Sequence, residues 1–152
     1  MEMRSMAPLA FVMLLATAAM HSSTAVAASA GARVAAGTVK VTITYKGKGT
    51  VDASHRIFVW LFNSPDIGPG AMPVAELTID KNGDTATFDG VVDGRVWIAV
   101  AYDERGVMSG NAPPPSGTPV GLYVGNDGAP RAVEPGDATV AVLTFDDSFR
   151  MP

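Results

Sequence analysis

The sequence predicts an all-β chain folded as a two-sheet sandwich of about seven short antiparallel strands. Three observations carry this expectation. Strict period-two alternation marks several segments, above all Val39 to Tyr45 and Arg95 to Tyr102. All sixteen glycines and all but one of the eleven prolines fall after residue 27, a density of turn formers that suits short strands and not helices. No segment after residue 27 repeats its apolar residues at helical spacing.

The N-terminus is read separately. Arg4, partly offset by Glu2, precedes the apolar run Leu9 to Met20 and the small-x-small pattern Ala25-Val26-Ala27, which together make residues 1–27 a cleavable signal peptide. Ala28-Ser29-Ala30 offers a second cleavage point. As a helix the apolar run reaches only ~18 Å against a hydrocarbon core of ~30 Å, so a stable membrane span is not expected, with an uncleaved anchor as the alternative. The chain has no cysteine, which excludes disulfides, thiolate metal sites and a lipid-bearing cysteine at the cleavage point. The expected product is soluble and exported, periplasmic or secreted, with a flexible lead-in at 28–37 and a single domain at 38–152.

The strands follow in order. Val39, Val41, Ile43 and Tyr45 alternate with Lys40, Thr42 and Thr44. Arg56 to Asn63 is apolar on both faces, as a central strand covered on both sides must be. Pro65, Gly68, Pro69, Gly70 and Pro73 then break any ladder, and Val74 to Ile79 resumes β-character. Asn82-Gly83 has the composition of a tight hairpin turn and predicts pairing of that strand with Thr85 to Phe88. Val96, Ile98, Val100 and Tyr102 alternate with Arg95, Trp97, Ala99 and Ala101. Between Asp103 and Asp137 only Val120 to Val124 looks strand-like, and Ala138 to Phe145 closes the pattern.

Such a strand count predicts an immunoglobulin-like or prealbumin-like topology, with a small β-barrel as the alternative. The net charge of −4 is dispersed, without a basic block, which argues against nucleic acid and anionic membrane as partners.

Around Ala86 to Gly106 the chain resembles the transthyretin-like, carboxypeptidase-regulatory-like β-sandwich domains of exported bacterial proteins. Phe88, Gly90, Val91, Gly94, Val96, Ile98, Val100, Tyr102, Asp103 and Gly106 follow that family's layout, and Ile57 to Phe62 resembles its preceding strand. Asp103-Glu104-Arg105-Gly106 stands where some relatives carry a D-x-N-G-N-G run, a departure that weighs against a loop cation site. The resemblance implies an accessory, structural or binding domain without catalysis of its own.

Candidate sites are few. After cleavage His55 is the one remaining histidine, and its neighbour Ser54 points to the opposite face of an extended strand, so no Ser-His pair forms there. Glu76, Asp103, Glu104 and Asp146 are the acids available to a glycoside hydrolase, although turn formation explains most Asp residues here. Asp80, Asn82 and Asp84 have the one-residue spacing of a calcium loop, but Val91 stands where such a loop needs Glu, and a plain turn explains the same residues. Phe58, Trp60 and Phe62 are expected in the inter-sheet core, with a sugar-stacking platform as the other use. Trp97 lies on the face opposite Val96, Ile98 and Val100. Met108 to Arg131, within the long segment after Asp103, is the expected binding surface, with Tyr123, Asn126, Asp127 and Arg131 as contacts and a flexible, proline-stiffened excursion without a ligand as the alternative.

The leading expectation is a non-catalytic binding or structural module that meets a protein or polysaccharide of the envelope or extracellular space through the 104–137 segment or an exposed sheet edge, with no cofactor unless calcium. The alternatives are a carbohydrate-binding module using Trp97 and Tyr123, and a small carboxylate hydrolase.

Overall fold

The computed structural model describes residues 36–152, apart from 69, 111 and 137–139. The predicted signal peptide and nearly all of the lead-in lie outside the described residues. Seven strands form: β1 (Gly37–Tyr45), β2 (Ile57–Phe62), β3 (Ala75–Ile79), β4 (Thr85–Val91), β5 (Trp97–Tyr102), β6 (Val120–Leu122) and β7 (Val140–Phe145). They make two open sheets, ordered β4-β1-β7 and β3-β2-β5-β6, so the chain is a β-sandwich and not a closed barrel. The described residues contain no helix, and therefore none long and apolar enough to cross a membrane.

Period-two alternation builds the core directly. β1 turns Val39, Val41, Ile43 and Tyr45 inward, β7 adds Ala141, Leu143 and Phe145, and β4 adds Ala86, Phe88 and Val91. The other sheet answers with Ile57, Val59 and Leu61 of β2 and Ile98, Val100 and Tyr102 of β5. Each fully buried Val, Leu or Ile contributes roughly 1.5 to 3 kcal/mol, which lets this fold stand without disulfides.

Three expectations are corrected. First, the pairing is not wholly antiparallel: β1 runs parallel to β7, from Lys40 opposite Val140 to Tyr45 opposite Phe145. The chain reaches β7 from the other sheet and not through a tight hairpin from β1, so nothing forces the direction to reverse. The order also differs from that of immunoglobulin constant-type domains, in which the first strand lies beside the second.

Second, Asn82-Gly83 does not close a hairpin. β3 pairs with β2 and β4 pairs with β1, so this turn carries the chain from one sheet to the other. The turn is docked on β1 instead. Asn82 Oδ1 accepts from the Tyr45 amide, Asn82 Nδ2 donates to the Tyr45 carbonyl (both 2.8 Å), and Gly83 N donates to Ile43 O at 2.9 Å. Gly83 holds a left-handed φ of 80°, which glycine adopts without strain.

Third, Phe58, Trp60 and Phe62 lie outside the inter-sheet core. Because Ile57, Val59 and Leu61 face the other sheet, the aromatics fall on the outer face of β2. Ala99 and Ala101 leave room for the rings, Val120 and Leu122 of β6 extend the same face, and Ile67, Ala71 and Met108 from the loops pack against it. The central strand is covered on both sides as expected, by a sheet on one and by loops on the other.

The fold begins one residue inside the expected lead-in, since Gly37 pairs with Val91 across a register shift that ends at Val39.

Candidate functional site

Three strands end on inward aromatics at the same end of the sandwich. Tyr45, Tyr102 and Phe145 close β1, β5 and β7, with ring centroids 4.3 Å apart for Tyr45 and Tyr102 and 5.0 Å for Tyr45 and Phe145. The Tyr45 hydroxyl donates to Asp147 Oδ1, whose other oxygen accepts from Lys48 N at 2.7 Å. Arg150 donates to both oxygens of Glu104, at 2.8 and 3.1 Å, and to the Gly117 carbonyl, with Asp147 Oδ1 3.3 Å away. This cluster clamps the C-terminal tail against the loop that follows β5.

Charge and burial set the protonation of the clamp. The Tyr45 hydroxyl and the Lys48 amide hold the Asp147 carboxyl below the ordinary carboxylate range, and the Arg150 guanidinium does the same to Glu104. Burial, reinforced by Asp147, pushes the Tyr45 phenol well above its usual value, so it remains a donor.

The loop itself is tied from within. Asp103, buried at the end of β5, accepts from Val107 N at 3.0 Å and Met108 N at 2.9 Å. Asp103 to Met108 and Pro115 to Thr118 then face each other across a cleft of about 230 Å3, with Glu104 and Arg105 on its rim and Val107 exposed beside it. Met151 pairs with Thr118 and Gly117 through backbone bonds of 2.9 Å, so the tail is tied to one wall of the cleft. Further along, Gly110 passes so close to the Glu76 carboxylate that a Cβ there would collide with it.

The predicted contacts divide into two places. Tyr123, Asn126, Asp127 and Arg131 share one small hairpin: Arg131 N donates to Tyr123 O at 2.9 Å, and the guanidinium lies 5.8 Å from the Tyr123 ring centre. Asn126 and Asp127 occupy its exposed turn, where Gly128 N donates to Gly125 O and Asp127 Oδ1 accepts from Ala129 N. Trp97 sits opposite Phe62 on the outer face of β5, half-buried, while Tyr123 packs against the inter-sheet core. Trp97 and Tyr123 therefore lie on opposite faces of the sheet and make no common platform.

Each candidate acid is engaged by a partner of its own. Glu76 accepts from Trp60 Nε1 at 2.8 Å, Asp103 caps its loop, Glu104 grips Arg150, and Asp146 accepts from Ser148 N at 2.9 Å. Asp52 Oδ1 accepts from the Ser54 and His55 amides at 2.8 Å and lies 3.0 Å from His55 Nδ1, which makes His55 part of a turn before β2. Among Asp80, Asn82 and Asp84, the Asn82 amide is taken up by Tyr45 and Asp84 Oδ1 accepts from Thr85 N. Among the described residues no group of three His, Asp or Glu side chains is placed to hold a metal ion.

Sequence reasoning missed Asp147 and Arg150. Their signal was positional: an Asp-Asp-Ser turn after the last strand, then an Arg able to meet the Glu that follows β5. Comparison with family models, with curated proteins and with solved structures yields no match to this chain.

Proposed function

We propose that the domain is a non-catalytic binding or structural accessory module of the cell envelope or extracellular space, and that it meets its partner through the surface built by residues 103–108 and 115–118. The observation that carries this reading is the cleft between Asp103–Met108 and Pro115–Thr118, whose two sides are joined by Arg150, which donates to Glu104 and to the Gly117 carbonyl. A loop tied this thoroughly meets a partner without first losing conformational freedom, which is what a binding surface needs. Arg105 offers a positive charge at the cleft, and Val107, 65% exposed, offers apolar contact.

Two further points support the reading. Each acid that a hydrolase would use is engaged elsewhere, and the sheet order favours the prealbumin-like of the two expected topologies, in keeping with the resemblance to accessory domains. The exported location rests on residues 1–27 alone.

The chain has no cysteine, so a single introduced one is a unique label. A photo-crosslinker at Val107→Cys, compared with one at Thr87→Cys on the outer face of β4, tests the surface in an envelope fraction. The reading expects a discrete adduct from position 107 and not from 87. Equal labelling at both, or none at either, sinks it.

A further inference from the structure

Apart from aromatic residues, only two polar side chains are buried among the described residues, Asp103 at 4% exposure and Thr118 at 6%, and both line the cleft of about 230 Å3. Buried polar groups normally find their partners within the protein. These two do so only in part. Asp103 accepts one backbone bond on each oxygen, from Val107 N and Met108 N, and makes no ion pair among the described residues. A carboxylate can accept about four bonds, so about two positions remain for a ligand.

Thr118 donates its amide to Pro115 O and accepts from Met151 N on its carbonyl, but its hydroxyl bonds to no described residue. Among the described residues no side-chain nitrogen or oxygen that is sealed from solvent lacks a partner. The Thr118 hydroxyl is therefore reached from outside, and the cleft that Thr118 lines is the way in. Ser116 and Arg105, exposed on the same lining, likewise make no side-chain hydrogen bond or ion pair among the described residues.

The charges of this set decide what it can hold. Glu104 commits both oxygens to Arg150. That leaves Asp103 to repel an anion, Arg105 to repel a cation, and two hydroxyls that both donate and accept. A neutral ligand rich in hydroxyls meets all four groups with hydrogen bonds and incurs neither repulsion. Met108 and Pro115 add apolar surface for the C–H face of a ring. At about 230 Å3 the cleft falls short of the ~300 Å3 at which drug-sized sites begin, which suits one ring and not a length of chain. We propose that the cleft binds one neutral sugar ring, with Asp103 and Thr118 on its hydroxyls and Ser116 and Arg105 at its edge. This rests on the reading of the cleft as the binding surface and names the class of ligand it takes.

The test is a titration of the purified chain with glucose, galactose, mannose and N-acetylglucosamine, followed by backbone amide shifts. At least one sugar is expected to bind with a Kd of about 1 to 10 mM, with shifts confined to residues 103–108 and 115–118. Methyl glycosides of the same sugars stand for the end of a glycan and distinguish that source from a free sugar. Thr118→Val keeps the shape of the side chain, removes the hydroxyl and weakens binding about tenfold. Ser116→Ala, at an exposed position, weakens it about threefold and serves should the first variant not fold. Binding untouched by both variants, shifts centred elsewhere, or tighter binding of glucuronate or glucosamine than of any neutral sugar overturns the proposal. No neutral sugar bound up to about 100 mM, while the crosslink from position 107 still forms, overturns the sugar and leaves the surface standing. Loss of the crosslink with no sugar bound removes both.

Discussion

Asp147 accepts the hydroxyl hydrogen bond of Tyr45, although 102 residues of chain separate them. That contact, with the Lys48 amide on the other carboxylate oxygen, fixes the start of the C-terminal tail to the end of β1. Tyr45→Phe keeps the ring packing against Tyr102 and Phe145 while removing the donor. The expected loss is about 1 kcal/mol, read as a lower denaturant midpoint with an unchanged slope.

The clamp also predicts how stability depends on pH. The carboxyls of Asp147 and Glu104 are both depressed in the folded protein. A depressed carboxyl contributes stability above its unfolded value, about 4, and that contribution is lost as pH falls through the folded value. Calorimetry is expected to show a flat melting temperature from neutrality down to about pH 5 and a fall below about pH 4. Asp147→Asn lowers the neutral melting temperature and reduces the acid drop. An acid profile identical to wild type in that variant refutes the assignment.

Asn82 supplies the clearest separation of turn from metal site. Asn82→Ala removes both hydrogen bonds to the Tyr45 backbone and is expected to cost about 1 to 2 kcal/mol, whereas Asp80→Ala is nearly neutral. Calcium or a chelator leaves the melting temperature of the wild-type chain unchanged. A rise with calcium that Asp80→Ala removes restores the cation reading.

Gly121 predicts a steric effect at the crossing of the two sheets. A Cβ there would come within 2.7 Å of Phe145 Cβ and 3.1 Å of Val100 Cγ2. Gly121→Val is expected to destabilise by about 1 to 3 kcal/mol through overpacking, measured by chemical unfolding. Gly83→Val meets no such atoms, and its cost comes from the left-handed backbone alone.

The outer aromatic layer makes its own prediction. Trp60 and Glu76 stand directly opposite on β2 and β3, joined by the indole N–H. Glu76→Ala leaves that buried N–H without its acceptor, at a cost of about 1 to 3 kcal/mol. Amide exchange around Met108 rises in the same variant, because the loop covering Trp60 rests on this pair. Unchanged exchange there would mean the loop is held by Asp103 alone.

The strands were legible because alternation is a local property. Val39 to Tyr45 announces its buried face in its own seven residues, and the structure agrees. What failed was whatever depended on a neighbour distant in the chain. Asn82-Gly83 has hairpin composition, but Tyr45 decides where that turn docks, and no local pattern reports Tyr45. The stripe Phe58, Trp60, Phe62 is visibly apolar, yet whether a sheet or a loop covers it depends on Met108 and Ile67. In the candidate site, Asp103 and Glu104 were visible in the sequence only as acids, not as a loop cap and an ion-pair partner. Asp147 and Arg150 did not stand out, because their partners, Tyr45 and Glu104, lie 102 and 46 residues away.

The parallel pairing of β1 with β7 governs the order in which the molecule can assemble. β1 lies in the middle of its sheet, yet one of its two neighbours is about one hundred residues later in the chain. A contact that distant closes late and slowly, since the intervening loop must first surrender its freedom. Until β7 has been synthesised, Val39, Val41 and Ile43 lack the strand that shields one side of them, and the growing chain cannot complete its fold. Removal of the last dozen or so residues would therefore leave an unfolded chain, not a slightly smaller domain.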